Sequence, residues 1–153
     1  MAAATGKLEV DIEVKSNPNE FWETIKDSTI VFPKAFPNDY KSIEVLEGDG
    51  KSVGSVRLIT YGDGSPLVKV SKEKIDYVDE EKKIYGYSVI DGGLLKYYKT
   101  FKCKLTLTPK GDGSFVKWSC EFEKAREDIP DPSVIKDFAV KNLLELDVYS
   151  DKP

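Results

Sequence analysis

The sequence contains no histidine, and only two cysteines occur among its 153 residues. Histidine is the commonest general base near neutral pH and the commonest metal ligand in proteins. Its absence excludes catalytic triads that pair serine or cysteine with histidine within this chain. Two cysteines are also too few for the usual zinc sites. We therefore expect no metal site, and no motif in the sequence points to a cofactor, so none is expected.

Long apolar runs and an excess of basic side chains are missing as well. No stretch approaches the roughly 20 apolar residues of a membrane span, and residues 1–6 do not form a signal peptide. The 27 acidic and 23 basic side chains are interspersed and give a net charge of −4, whereas a nucleic-acid partner requires a basic face. These features predict a cytoplasmic protein with no nucleic-acid partner and no stable membrane insertion. Nothing in the sequence suggests an obligate interface, so we expect a monomer.

The sequence does contain a long series of strand patterns. Residues 7–15 alternate between charged and apolar side chains, which indicates a half-buried strand. Short turns between consecutive strands indicate antiparallel neighbours. Six further strands, separated by short turns rich in glycine, proline or acidic residues, are predicted at 40–47, 55–61, 67–78, 83–90, 96–108 and 114–125.

Helical patterns occur at both ends of this series. Asn17 and Pro18 predict the start of a short helix, and a second short apolar turn follows at 29–36. A long amphipathic helix is predicted at 132–149. The whole chain, residues 1–153, is interpreted as one α+β domain in which a bent, seven-stranded antiparallel sheet packs on the long helix. Periodicity does not decide whether side chains fill the space between them or leave a cavity.

The glycine-rich segment 48–54 is interpreted as a tight connection between two strands. Its spacing fits neither common nucleotide-binding fingerprint, and no helix begins after it to face a phosphate. We expect its glycines to be required for positive φ angles.

Tyrosines are concentrated in the later strands. Alternate residues of a strand point to the same face of the sheet. Tyr85 and Tyr87 therefore share a face with Val89, and Tyr97 shares a face with Phe101. Tyrosines that face inward suit a ligand cavity, where their hydroxyl groups orient a ligand. Tyrosines at the rim with solvated hydroxyl groups fit the same pattern equally well.

Lys99 has the parity of the inward tyrosines and is open to two interpretations. Its long stem can turn the ammonium group to solvent, which we favour because lysine side chains readily reach water. Alternatively it meets a carboxylate or an anionic ligand, since a buried lysine without a partner is costly.

The two cysteines are predicted to face each other across the last hairpin. If Pro109 pairs with Ser114, then Cys103 pairs with Cys120, and both faces of the hairpin match in hydrophobic character. A disulfide directly across two strands has unfavourable geometry, so we expect two reduced, buried thiols.

Several segments carry a family resemblance: Gly6–Val10, Leu46–Gly50, Gly54–Val56, Val78–Glu81, Tyr98–Lys102, Trp118–Ser119, Glu121–Lys124 and Ile135–Phe138. In this order they resemble the plant major latex protein-like family, over nearly the whole chain. That family is part of the birch-pollen allergen and pathogenesis-related class ten superfamily. The resemblance implies the helix-grip fold, in which seven antiparallel strands wrap round a long C-terminal helix and two short helices support it. It also implies a large hydrophobic cavity between the sheet and the helix.

The resemblance further implies a function in plant defence or stress responses. The expected protein is a non-enzymatic carrier of a small hydrophobic or amphiphilic ligand, such as a lysophospholipid, a fatty acid, a steroid-like compound or another plant metabolite. The positions that the resemblance assigns to the ligand cavity are Ile25, Phe32, Arg57, Ile59, Tyr61, Val68, Val70, Tyr85, Tyr87, Val89, Tyr97, Lys99, Phe101, Cys103, Ile135, Phe138 and Asn142.

Arg57 and Lys99 are the candidates for binding an anionic head group, because they are two cations assigned to an apolar face. One alternative is an enzyme of the isomerase or cyclase type that uses Lys99 or a tyrosine as acid or base. The lack of histidine and of a paired cavity carboxylate counts against it. Another alternative is a signalling module whose loops close over a ligand.

Overall fold

The alternation at the start of the chain forms an edge strand, β1 (Thr5–Val14), in the computed structural model, which describes residues 5–63 and 69–150. Two short helices follow, and the long helix ends the described chain. The remaining elements are α1 (Pro18–Lys26), α2 (Ser28–Ala35), β2 (Tyr40–Glu47), β3 (Val56–Tyr61), β4 (Val70–Asp79), β5 (Ile84–Gly92), a 3₁₀ turn (Gly93–Lys96), β6 (Tyr98–Lys110), β7 (Gly113–Lys124) and α3 (Ser133–Ser150).

The strands form one seven-stranded antiparallel sheet with the order β1-β7-β6-β5-β4-β3-β2. Each strand from β2 to β7 therefore lies beside its neighbours in the sequence, and β1 pairs with the last strand. The predicted α+β helix-grip fold is confirmed. No helix in the described part of the chain is long and apolar enough to cross a membrane.

The first short helix begins where the capping pattern predicts. The Asn17 side chain accepts a hydrogen bond from the Glu20 amide at 2.9 Å, and Pro18 occupies the first turn. The helix buries Phe21, Trp22 and Ile25 against the core. These residues pack α1 against the core, while α2 lies against β2.

The last hairpin has the predicted register. Pro109 pairs with Ser114, and Cys103 lies opposite Cys120. Both cysteines are buried and free, as expected. Burial raises the pKa of both thiols, that of Cys120 to about 11.

The glycine-rich connection between β2 and β3 also has the predicted character. Gly48, Gly50 and Gly54 all have φ angles between 77° and 92°, a region that residues with a Cβ rarely adopt. Asp49 accepts hydrogen bonds from the backbone amides of Lys51 and Ser52. The segment is a turn between strands, and its polar groups satisfy one another.

The C-terminal half of α3 is fixed to the segment that connects β1 to α1. The buried Asp147 carboxylate accepts hydrogen bonds from the amides of Lys15 and Ser16, at 2.8 and 2.9 Å, and from the Ser16 hydroxyl at 2.7 Å. Leu143 and Leu146 pack into the core beside this contact. The N-terminal half of the helix is less deeply buried and lies over the space that the sheet encloses.

Candidate functional site: a cavity between the sheet and the C-terminal helix

A cavity of about 140 Å³ lies between the sheet and α3. One water molecule needs about 10–15 Å³ of such space, so the cavity has room for roughly ten waters. Its lining consists of Ile25, Ser28, Phe32, Tyr40, Ile43, Arg57, Ile59, Tyr61, Ser71, Glu73, Tyr85, Tyr87, Val89, Leu94, Phe101, Cys103, Leu105, Trp118, Ile135, Phe138 and Ala139.

Most of the residues that the resemblance assigns to the cavity do line it. They come from both short helices, from the middle strands and from the long helix. They are Ile25, Phe32, Arg57, Ile59, Tyr61, Tyr85, Tyr87, Val89, Phe101, Cys103, Ile135 and Phe138. Their role in binding a ligand stays a prediction.

Lys99 lies outside the cavity, so its assignment as an inward residue is wrong. A bulge interrupts β6 between Tyr98 and Thr100 and leaves Lys99 as an extra residue. Its side chain is 60% exposed, and its Nζ lies 3.8 Å from the carboxylate of Glu123. The inward assignment of Lys99 assumed that side chains alternate regularly along this strand, and the bulge interrupts that alternation.

Tyr97 and Val70 also face away from the cavity, contrary to their assignment. Tyr97 is not in a strand but caps the 3₁₀ turn, where 40% of it is exposed. Val70 is 39% exposed because the first half of β4 turns its odd-numbered side chains inward, including the buried Ser71 and Glu73. Val68 lies outside the described residues.

Asn142 is buried, but it does not line the cavity. Its amide Nδ2 donates a hydrogen bond to the Tyr40 hydroxyl at 3.1 Å, and Tyr40 itself forms part of the cavity wall. Asn142 therefore positions a lining residue, and its assignment as a lining residue is corrected.

The polar part of the cavity is a buried ion pair. Arg57 and Glu73 lie directly opposite each other on β3 and β4, and a guanidinium nitrogen of Arg57 is 2.9 Å from the Glu73 carboxylate. A second guanidinium nitrogen donates to the Ser28 hydroxyl at 2.8 Å, and the Tyr85 ring lies 6.0 Å away. The Arg57 Nε is buried and has no hydrogen-bond partner among the described residues. Burial raises the pKa of Glu73, and Arg57 partly offsets this effect.

Glu73 was missed because the resemblance assigned the even-numbered Val68 and Val70 to the cavity, which placed the odd-numbered Glu73 on the outer face. The neighbouring residues carry a usable signal: Lys72, Lys74 and Asp76 form a charged set of one parity, which belongs on the solvent face. The odd-numbered side chains, which include Glu73, must then face inward. A carboxylate on that face requires a cation opposite, and Arg57 supplies it.

Tyrosine hydroxyl groups supply the other polar contacts. Tyr61 and Tyr87 are buried in the cavity wall, and burial raises the pKa of each well above its usual value. Tyr40 stacks against Phe32 and Phe138, with ring centroids 5.2 and 5.8 Å away. These phenols stay neutral at physiological pH, so each can donate and accept a hydrogen bond.

The remaining lining residues were not predicted. Leu105 and Trp118 lie opposite each other in the predicted hairpin register, so extending the parity of Cys103 along β6 and across to β7 would have found both. Ser28, Tyr40, Ile43, Ser71, Leu94 and Ala139 were also missed. Among the described residues, no group of three or more acidic or cysteine side chains is placed to bind a metal ion.

A curved seven-stranded sheet that encloses a cavity beneath a C-terminal helix defines the chain as a helix-grip protein. The model of the pathogenesis-related protein Bet v 1 family matches residues 3–150. The chain is 59% identical to MLP-like protein 423 of Arabidopsis thaliana over 145 residues, which cover 95% of this chain and 94% of the relative. The chain therefore belongs to the Bet v 1 family, in its major latex protein-like branch.

Other relatives extend this comparison. MLP-like protein 34 of the same plant is 37% identical over 148 residues, which cover 95% of this chain but 46% of the relative, so the chain spans about half of its length. Ginseng major latex-like protein 151 from Panax ginseng superposes with a TM-score of 0.88 at 28% identity, covering 97% of this chain and 99% of that one.

More distant structures share the fold. Norcoclaurine synthase from Thalictrum flavum, in complex with dopamine and hydroxybenzaldehyde, superposes with a TM-score of 0.79 over 99% of this chain and 90% of its own. Its sequence identity of 23% establishes a common fold and no more.

Proposed function

We propose that this protein binds and carries a small hydrophobic or amphiphilic plant metabolite in the cavity between its sheet and α3, without converting it. The observation that carries the proposal is the cavity itself, which has an aromatic and aliphatic wall and a few polar groups. Burying apolar ligand surface contributes about 25 cal/mol per Å². The tyrosine hydroxyl groups fix the orientation of the ligand.

Family membership supports this proposal, because proteins of the Bet v 1 family generally bind hydrophobic ligands. A cytoplasmic, monomeric protein that acts in plant defence or stress responses is part of the same proposal. The identity of the ligand follows from its isolation: the protein is purified gently from plant tissue and denatured, and the released small molecules are analysed by mass spectrometry. A stoichiometric amphiphile is the expected result.

Binding in the cavity is tested with an uncharged fluorescent reporter, phenyl-naphthylamine. Saturable binding of one molecule per chain is expected, together with a change in tryptophan fluorescence, since Trp118 lines the cavity and Trp22 packs against the lining residue Tyr85. Replacing Ala139 in the cavity wall with tryptophan should weaken binding at least about tenfold, because the larger side chain occupies ligand space.

The matched control is a tryptophan on the outer side of the same helix, Leu144→Trp, where 45% of the native side chain is exposed. This variant should bind like the wild type, and both variants should keep the wild-type circular dichroism spectrum. Absence of saturable binding, or an equal loss in the two variants, would contradict the proposal.

An enzyme is a second candidate, and one observation favours it. Glu73 is a buried carboxyl group in the cavity wall, and burial raises its pKa, as is typical of general acids. Turnover of a plant metabolite that is lost in Glu73→Gln and kept in Glu123→Gln would establish this alternative. Absence of turnover over a broad panel of metabolites would count against it.

A further inference from the structure

The polar wall of the cavity carries information about the class of ligand, given the carrier function proposed above. We propose that the cavity selects ligands whose polar group is uncharged and accepts a hydrogen bond, such as a hydroxyl or carbonyl group. It discriminates against anionic and cationic head groups alike.

The first argument is charge balance. Arg57 and Glu73 are the only charged residues among the described residues that line the cavity. Their side chains are 6% and 8% exposed and they are bonded to each other at 2.9 Å. The wall therefore has one positive and one negative charge that neutralise each other, and the cavity has no net charge to offer an ion.

The second argument is the cost of replacing this pair. An anionic head group would bind Arg57 at full strength only by displacing Glu73, which would leave a buried carboxylate without its partner. A cationic head group would in the same way leave Arg57 unpaired. Breaking a buried pair is strongly unfavourable because the uncompensated charge stays in a medium of low polarity.

The third argument is the hydrogen bond that remains open. The guanidinium group of Arg57 donates to Glu73 and Ser28, but its buried Nε has no partner among the described residues. A buried donor without a partner is costly, and a neutral oxygen atom of a ligand would satisfy it without disturbing the ion pair. Lys99 and Lys141 do not supply a cation for an anionic head group, since they pair with Glu123 and Asp39, and none of these four residues lines the cavity.

The test uses four probes with the same ten-carbon chain: decanol, decanoate, decanesulfonate and decyltrimethylammonium. Each competes with phenyl-naphthylamine at about pH 8, where carboxylic acids are ionised, and the sulfonate cannot be neutralised by protonation. Decanol should bind at least about tenfold more tightly than each of the three ions, because only the ions must desolvate a charge against a neutral wall.

A variant changes the selectivity in a defined direction. Glu73→Gln keeps the size of the side chain and removes its charge, which leaves Arg57 as an uncompensated cation. Affinity for decanoate and decanesulfonate should then rise at least about tenfold relative to decanol, while decyltrimethylammonium binds still more weakly. The matched control is Glu123→Gln, which removes a carboxylate that lies outside the cavity wall, and it should keep the wild-type order.

The outcomes separate this inference from the carrier function. If the reporter binds and an ion competes as well as decanol in the wild type, the inference is wrong and the carrier function stands. If the reporter does not bind, the carrier function itself fails. The wild-type series decides the question even if Glu73→Gln does not fold.

Discussion

Arg57 and Glu73 face each other across β3 and β4 inside the cavity, with a guanidinium nitrogen 2.9 Å from the carboxylate. The pair therefore has two effects, one on the ligand and one on the fold. For the ligand it provides a polar wall without net charge. For the fold it brings two ions out of water at a position where most neighbours are apolar, which makes each ion depend on the other.

The stability of the protein should show this dependence. Arg57→Met is expected to lower the free energy of unfolding by about 3–5 kcal/mol, because it leaves the buried carboxylate of Glu73 unpaired. The double variant Arg57→Met/Glu73→Met should lie within about 1 kcal/mol of the wild type, since a buried ion pair and a well-packed apolar pair have similar stability. Urea unfolding followed by circular dichroism measures both values.

Additive losses would contradict this expectation: a double variant that is less stable than Arg57→Met would mean that the two side chains act independently. The exposed pair of Lys99 and Glu123 offers a matched control on the same sheet. Removing either side chain of that pair should change the free energy of unfolding by less than about 1 kcal/mol.

The thiol groups should resist chemical modification. Burial raises the pKa of Cys120 to about 11, and at pH 8 this reduces its thiolate fraction by about a hundredfold or more relative to an ordinary cysteine. Alkylation with iodoacetamide at this pH, followed by intact mass spectrometry, should leave the folded protein unmodified and add two groups in urea. A cysteine placed at the exposed position of Lys117 should react at the ordinary rate, and equally fast reaction of Cys120 would contradict the expectation.

Much of the fold could be predicted because short turns and strict alternation leave few choices. The register that pairs Cys103 with Cys120 follows from closing the hairpin at Pro109 and Ser114, and hydrophobic matching supports it, since a shift by one residue would turn the side chains of one strand to the wrong face. The start of α1 follows equally directly from Asn17 and Pro18, because capping depends on residues adjacent in the sequence.

The residues that were wrongly placed depend on information that periodicity does not contain. Lys99 is the extra residue of a bulge in β6, and a bulge of one residue reverses the alternation of side chains without changing the composition. Asn142 was assigned to the lining, yet its direction is set by a hydrogen bond to Tyr40, which is distant in the sequence. The existence of the cavity itself came from the resemblance, because the volume between a sheet and a helix depends on how far apart they stand.

The buried tyrosines predict how stability depends on pH. Burial raises the pKa of Tyr61 and Tyr87 well above the usual value near 10. The folded state therefore holds protons that the unfolded state releases, and stability that is fully present below about pH 10 is lost as the pH rises further. Urea unfolding over this range should show a falling free energy of unfolding, and a phenolate absorbance titration should find these groups un-ionised until the protein unfolds. Ionisation of every tyrosine in one step, in the folded protein, would contradict this prediction.

Asp147 should determine how firmly α3 is fixed to the segment that connects β1 to α1. Replacing it with alanine removes the acceptor of three hydrogen bonds and leaves the buried amide of Ser16 without a partner. Because each bond to a charged group contributes about 1.5–3 kcal/mol and the losses overlap, we expect the free energy of unfolding to fall by about 3 kcal/mol. Glu145→Ala, two residues earlier on the same helix and exposed, should change it by less than about 0.5 kcal/mol. Urea unfolding distinguishes the two variants, and a loss of similar size in both would show that the helix is not fixed through Asp147.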